Sequence, residues 1–558
     1  MPAATPSPIL NWKNLSKKVK PNPVGLGGWL AALGLMLPSA IWIFWDKSVW
    51  AWDPSYYAEL ATNLWWDLSH HHVGGWLAHM ETAFGSKAPG VAWLGQFFVP
   101  LGQGLGAVET GLLLSVWLFV VVAVRLMYDV GRAAGGGDAR LGWLAAGLTG
   151  VAPLAVGMSQ QFFVESLQLG AVVYVYWIAV ALPGGSRVRL VAHSVLAVSL
   201  GMLAKASFPL YVITPCLVIV GRWWNEGRRT PKPPASRMPW ALLVVAGVVA
   251  AMTADWYRVN FGTVRSFMQS AASGSGGMHY GHAGTFSSKM GYWLAATQQA
   301  FVAPLPGLIL AGALAGSAWL AFRRRRREGW KWPRLVMILA VGSLAQVGFI
   351  LVVFSQQINE ETRYLLPMLP ALVLPVVALL VAGRSRLLLA TAALALAGQF
   401  IFDQQVSFGG SEPAPTVSVW LKPLQTDGGT RAEVTRLVAA TSGDGHIVIS
   451  GVELPWLNGF TLSFYAAKLR LDTNQLGFYS NLGYAETDPE LGWKRLLDAK
   501  VNYFITLAPE RQPAPPDFLN QITLAARNRV VQSGWFERQP FASARGIEIY
   551  RRRPDTPP

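Results

Sequence analysis

Five charged residues stand where ordinary surface solvation does not account for them. Asp53 sits in Trp52-Asp53-Pro54-Ser55-Tyr56-Tyr57-Ala58-Glu59, after the apolar stretch Pro23 to Trp45. That stretch is long enough to cross a bilayer, at about 20 residues per span. Glu165 closes the short polar run Ser159-Gln160-Gln161-Phe162-Phe163-Val164-Glu165 between two other apolar stretches. Lys87, Lys205 and Arg363 lie near further apolar ends or turns, with Tyr364 beside Arg363. Charges at span ends cost free energy unless they are solvated, paired or used. A carboxylate there can remove a proton from a hydroxyl. Cations can neutralise a departing phosphate, and the planar fork of Arg engages two of its oxygens. Such chemistry suits transfer from a substrate with its tail in the bilayer and a phosphate head in water.

Each residue also has a plainer reading. Asp53 can cap a helix that begins at Pro54, since Asp then Pro is a good N-cap and N1 pair. Glu165 can be a solvated loop acid, and Lys87 and Lys205 can snorkel to headgroups. Arg363 can pair with Glu360 or Glu361. A divalent metal ion is a possible cofactor, with Glu165, His279 and His282 as its candidate ligands. None of these has a recognised zinc spacing. His70, His71 and His72 are adjacent, and on a helix they would point in different directions.

The elements that position these groups are mostly membrane spans. Hydrophobic residues make up 52% of the chain and charged ones 14%, the composition of a polytopic α-helical membrane protein. About 11 transmembrane helices are expected: near 23–45, 107–127, 141–158, 166–183, 189–204, 208–222, 239–255, 299–321, 335–354, 364–383 and 386–402. The third, fifth and sixth are short. With the N-terminus and alternate loops assigned to the cytoplasm, that side holds 23 of the 46 basic residues and only Asp129, Asp138, Glu226 and Glu328. Its net charge is +19, and the chain total of +16 leaves −3 outside. This asymmetry orients the protein in a plasma membrane of bacterial type, N-terminus cytoplasmic and C-terminal domain extracytoplasmic. The basic residues lie in short loops rather than along one groove, so nucleic acid is not an expected partner. The first span is preceded by a polar, Pro-rich stretch and is longer than a signal-peptide core, so no cleaved signal is expected. With Cys216 alone in an apolar span, no disulfide can form within the chain.

Four segments follow from this reading: 1–22 cytoplasmic, 23–402 transmembrane with a first outer loop at 46–106, 403–445 a polar linker, and 446–558 a soluble α/β domain. In the outer loop, Tyr56 to Trp66 and Val91 to Leu105 read as interfacial helices. A long fourth outer loop, 256–298, carries Gly274-Ser275-Gly276-Gly277-Met278-His279-Tyr280-Gly281-His282, whose glycine density suggests a mobile lid. In the last domain, His446–Ser450, Val501–Thr506 and Gly546–Tyr550 read as strands, with helices at Pro489–Lys500 and Pro516–Asn528.

Several motifs resemble one family. Asp53-Pro54-Ser55-Tyr56-Tyr57-Ala58-Glu59 followed by Lys87-Ala88-Pro89-Gly90-Val91-Ala92-Trp93-Leu94 looks like the first outer loop of GT-C glycosyltransferases that use polyprenyl-phosphate sugars. Protein O-mannosyltransferases and the lipid A aminoarabinose transferase belong to that superfamily. Glu165-Ser166-Leu167, Gly201-Met202-Leu203-Ala204-Lys205 and Arg363-Tyr364-Leu365-Leu366-Pro367 resemble its later elements, in the same order. Glu165 stands where the family has Asp, Ala88 where it has Pro, and Ala206 where it has Gly. The resemblance implies a GT-C-like transmembrane domain and a sugar donor on a polyprenyl or dolichyl monophosphate. It implies a glycan, lipid or protein acceptor outside the cytoplasm, and inversion at the anomeric carbon. By position, Asp53 would be the base and Glu165 the second acidic group. Lys87, Lys205, Arg363 and Tyr364 would hold the donor phosphate. A lipid-linked sugar flippase or a secondary transporter is the rival reading, although transporters place charges near the midplane on broken helices.

Overall fold

The structure, a computed structural model, describes residues 25–183, 186–227, 240–328, 334–409, 427–513 and 517–555. The expected N-terminal segment 1–22, the loop cations Arg228, Arg229, Lys232, Arg237 and Lys331, and positions 410–426 of the expected linker lie outside the described residues. The chain divides into two compact units.

Among the described residues, eight helices are long and apolar enough to cross a membrane: Leu26–Trp45, Val108–Ala134, Arg187–Ala204, Trp240–Ser273, Pro304–Arg327, Met337–Ser355, Thr362–Gly383 and Arg386–Ser407. The other three expected spans are shorter or broken. Val164–Val180 is an apolar helix of 17 residues. The third splits into Ala139–Gly150 and Pro153–Met158, because Pro153 has no N–H to continue the ladder and instead opens a new helix. The sixth splits into a 3-10 turn, Phe208–Tyr211, and a helix, Ile213–Gly227.

One unit comprises Met1–Ile43, Phe84–Val91 and Leu114–Pro423. Its helices meet through small and branched apolar residues, as Ala31, Ala32, Met36, Val120, Val121, Val124 and Ala146 do around Tyr128. The fourth outer loop departs from expectation. Trp240–Ser273 and Phe286–Phe301 take most of it into helix. This segment is tied to the loop before Arg363: Ile358 N–H donates to Ala272 O at 2.8 Å, and Gly281 forms an antiparallel bridge with Asn359. Helix formation by the apolar flanks outweighs the glycines between them.

The other unit comprises Phe44–Ala83, Ala92–Leu113 and Leu424–Pro558. Its five strands are β1 (Ile447–Ser450), β2 (Phe478–Asn481), β3 (Tyr503–Leu507), β4 (Phe536–Gln539) and β5 (Ile547–Arg552). They form one mixed sheet in the order β2-β1-β3-β5-β4. β1 runs parallel to β2 and β3, while β5 runs antiparallel to β3 and β4. The alternating faces of these strands explain the core. Ile449, Phe504, Tyr550 and Phe536 bury with Leu496 and Val530 from the helices Pro489–Asp498 and Thr523–Gln532. The helix expected at Pro516–Asn528 thus begins later, at Thr523.

The linker expectation is corrected within its described part: Gly428–Thr441 is a helix. Its N-cap, Asp427, accepts from Thr430 N–H at 2.7 Å. That bond, and then Arg545, lower the Asp427 pKa to about 2. The first outer loop is helical at Trp52–Ser69 and Val73–Thr82, and Trp52–Ser69 packs against Gly459–Thr473. Trp50 stacks on Phe464 with centroids 5.5 Å apart, and its carbonyl accepts from Thr461 Oγ1 at 2.7 Å.

A buried charge cluster knits this unit. Glu109, at 4% exposure, meets Lys468 Nζ at 2.5 Å and is also paired with Arg431. Removing one member of such a cluster leaves uncompensated charge, commonly worth about 3–5 kcal/mol. Glu109→Ala should therefore lower unfolding free energy by that order, read as the denaturation midpoint of the detergent-solubilised protein. A midpoint unchanged from wild type would show that water reaches Lys468 and Arg431.

Candidate functional site

Three segments of the transmembrane unit bring Glu165, Lys205, Arg363 and Tyr364 together. Phe163 is extended at φ −118° and ψ 156° and precedes the helix Val164–Val180. Glu165 thus falls in that helix's first turn, where the dipole favours a carboxylate. Lys205 is the C-cap of Arg187–Ala204, and its extended backbone ends that helix. Arg363 and Tyr364 lie in the 3-10 segment Thr362–Met368, which leads into the helix Leu369–Gly383.

Glu165 is 1% exposed. Lys205 Nζ donates to its Oε1 at 2.8 Å. Arg363 Nε lies 3.7 Å from the same oxygen and 3.1 Å from Glu361 Oε2. The local pairing of Arg363 with Glu361 is therefore real, and Arg363 faces Glu165 as well. The Lys205 ammonium sits 3.6 Å from the Tyr364 ring centroid, and the Arg363 guanidinium 4.5 Å from that of Phe163. These contacts are close enough for cation–π attraction. Tyr211 Oη donates to Tyr364 O at 2.7 Å, and Gln168 Nε2 to Ser207 Oγ at 3.2 Å. Of the residues flagged by sequence, Glu165, Lys205, Arg363 and Tyr364 thus come together. Phe163, Tyr211, Gln168 and Ser207 complete the arrangement without having stood out as candidates.

Two glycines permit the close approaches. A Cβ on Gly201 would enter the Phe208 ring, which closes the turn carrying Lys205. A Cβ on Gly90 would lie 2.6 Å from Leu203 O, so only glycine lets the Lys87 turn pack against that same segment. Lys87 itself rests 5.6 Å from the centroid of Phe267.

The surroundings of Glu165 do not fit a divalent cation. Its nearest charged neighbours are an ammonium and a guanidinium, an arrangement that favours an anion. His282 Nδ1 lies 3.0 Å from Glu360 Oε2, and Lys289 Nζ donates to Glu360 Oε1 at 2.8 Å. That double contact, against the opposing effect of burial, lowers the Glu360 pKa. Among the described residues, no three His, Cys, Asp or Glu form a metal-binding group, and His279 joins none.

Asp53 lies in the other unit, and the capping reading of it fails. The helix starts at Trp52 with Ala51 as N-cap and no side-chain cap, which puts Asp53 inside the first turn. Trp52 has φ +36°. Non-glycine residues held in such regions typically cost about 1–3 kcal/mol. Tyr56 and Glu59 follow one and two turns further on. Burial, then the charges of Glu59 and Asp53, push the Tyr56 hydroxyl up to about 12. Burial also pushes Glu59 up to about 7.

This is the GT-C fold of membrane glycosyltransferases, and the chain is an integral membrane protein. Among solved structures it is similar to ArnT, the lipid A aminoarabinose transferase, from Cupriavidus metallidurans. With the apo state it shares 14% identity at a TM-score of 0.52, over 94% of this chain and 98% of that one. With the undecaprenyl phosphate complex the values are 14% and 0.52, over 93% and 97%. The oligosaccharyltransferase AglB of Archaeoglobus fulgidus, in complex with an inhibitory peptide and a dolichol-phosphate, aligns at 12% identity with a TM-score of 0.44, over 94% and 75%. No protein-family model matches the sequence. No curated protein matches it either.

The aromatic ring of Tyr364 can be separated from its hydroxyl. Tyr364→Leu removes the face against which Lys205 rests, a contact worth about 0.5–2 kcal/mol. It should lower the unfolding free energy by that order. Tyr364→Phe should retain it. Equal losses in the two variants, measured by unfolding, would show that the ring face contributes nothing.

Proposed function

We propose that this chain moves a sugar from a polyprenyl-monophosphate donor to an acceptor outside the cytoplasm, with inversion at the anomeric carbon. The observation that carries this reading is the meeting of Lys205 and Arg363 around one buried carboxylate at converging helix ends. Both cations are fixed by carboxylate partners, as electrostatic stabilisation of a leaving group requires. Glu165 holds them in place. Arg363 can turn a nitrogen from Glu361 to phosphate, and Lys87 adds a further positive charge from the turn that Gly90 seats against Leu203. ArnT of the same fold binds undecaprenyl phosphate, which supports a polyprenyl-phosphate donor here.

In this reading the acceptor oxygen forms the new bond to the anomeric carbon as its proton passes to a carboxylate base. The bond between that carbon and the phosphate oxygen breaks, and its electron pair leaves with the polyprenyl phosphate. Lys205 and Arg363 meet the charge that develops there.

Purified protein supplied with defined undecaprenyl-phosphate sugars should transfer the sugar to a glycan, lipid or protein acceptor. Asp53→Asn should lower turnover by about 10²–10⁴-fold, the usual worth of general base catalysis, while donor binding persists. Since Asp53 is not the helix cap, Asp53→Ala should fold as well as Asp53→Asn. Lipid translocation without transfer would instead support a flippase.

We also propose that the N-terminus and the Arg323–Arg334 loop face the cytoplasm, and the C-terminal unit the opposite side. The charge asymmetry supports this orientation. A reporter fused after residue 403 should read the outer compartment, and one within Arg323–Arg334 the cytoplasm. Both reporters on one side would overturn the orientation.

A further inference from the structure

Glu453 is an anomaly among the buried acids of the C-terminal unit. Glu109, Glu433 and Glu548, similarly buried there, each have an Arg or Lys within ion-pair distance. Glu453 is 5% exposed, and the side chains that face it, Trp52 and Asn481, carry no charge. Neither of its carboxyl oxygens makes a hydrogen bond of good geometry. Its backbone is nevertheless fixed on both sides. Asn520 Oδ1 accepts from Glu453 N–H at 2.8 Å, and Asn520 Nδ2 donates to Glu453 O at 3.0 Å. The carboxyl is thus aimed by a rigid segment toward Trp52 and the end of β2.

Trp52 is the anomaly on the other side. It is the first residue of its helix, its backbone is left-handed, and its indole Nε1 is buried, facing Glu453 and making no hydrogen bond of good geometry. A bulky residue stays in that region only where its surroundings hold it. Trp50 is anchored through the bonds from Ser55 Oγ and Thr461 Oγ1 to its carbonyl, at 2.6 and 2.7 Å. That anchor fixes the chain before Trp52. Glu453, with its two acceptor oxygens beside the indole, is placed to fix Trp52 itself. The next residue is Asp53.

We propose that Glu453 is a positioning residue for Asp53, holding the Trp52 indole and, through it, the left-handed turn that sets the direction of the Asp53 side chain. The assignment rests on the reading of Asp53 as the base. Burial pushes the Glu453 pKa to about 7, against opposing contributions from Asn481 and Trp52. The folded state therefore holds this proton more tightly than the unfolded chain. The resulting stability is complete below the ordinary carboxylate pKa and is lost as pH rises to about 7.

Two variants separate position from charge. Glu453→Ala removes the acceptor, and Glu453→Gln keeps an acceptor but cannot ionise. In the full-length protein, Glu453→Ala should speed amide exchange at residues 52–56 by about tenfold, leaving Pro489–Asp498 protected. It should lower kcat by about 10²-fold, the usual effect of misplacing a catalytic group by an ångström, with donor KM almost unchanged. Glu453→Gln should keep that protection and most of the turnover. It should also remove an ionisation near pH 7 from the kcat profile and abolish this group's share of the fall in Tm as pH rises toward 7. Unchanged exchange at 52–56 in Glu453→Ala would overturn the proposal, as would a Glu453→Gln profile identical to wild type. Should Glu453→Ala fail to fold, the Glu453→Gln profile decides alone. A wild-type protein without any transfer would refute the assigned reaction, while the exchange experiment would still test the clamp.

Discussion

A carboxylate removed from water must have its charge met, and Glu165 imposes that condition on three helix ends at once. It opens one helix, Lys205 closes a second, and Arg363 stands in the 3-10 turn that opens a third. With Lys205 at 2.8 Å, moving any of these ends would leave a buried charge without its partner. Such a loss exceeds what a few apolar contacts return. The ends therefore hold one another in register. The close packing at Gly90 and Gly201 follows from the same requirement, because the turn bearing Lys205 has to reach an already buried acid.

The C-terminal unit obeys the rule in one place and departs from it in another. Glu109 draws in Arg431 and Lys468, from the helices Gly428–Thr441 and Gly459–Thr473. Those helices share a common side with β2, where Tyr479 Oη lies 2.9 Å from Thr441 Oγ1. Glu453 has no such cation, and the burial that elsewhere enforces pairing here raises its proton affinity. A group of this kind is a poor choice for stability alone near neutral pH. Its position beside Trp52, next to Asp53, gives it a chemical reason to be there.

How much of this was legible in the sequence depends on the range of each interaction. Spans could be read because bilayer thickness sets their length, whereas the break at Pro153 within 141–158 was missed because length alone could not place it. Glu165, Lys205 and Arg363 stood out because charge at a span end is costly, whatever it touches, and Tyr364 stood out only beside Arg363. Lys468 and Glu109 did not, since 359 positions separate them and neither has a telling local context. Glu453, with Leu454 and Pro455 after it, reads as an ordinary loop acid. The helix Gly428–Thr441 was hidden by its polar composition, although Asp427 marks its start. β2 and β4 are four-residue edge strands, and Glu537 and Arg538 of β4 give no apolar alternation to detect.

The same distinction explains how a fold persists at 14% identity. Lipid-facing apolar side chains can replace one another freely, because hydrocarbon solvates them alike. Helix ends have less freedom, yet even there the chain tolerates departures that leave the geometry intact. Residue 206 is outside the left-handed region, so the turn after Lys205 does not need glycine, and Ala serves. Glu in place of Asp at position 165 lengthens the acid by one methylene and still brings Oε1 to Lys205. In this chain one buried anion faces two cations where three segments meet, and that requirement falls on the geometry of the helix ends rather than on any one side chain's identity.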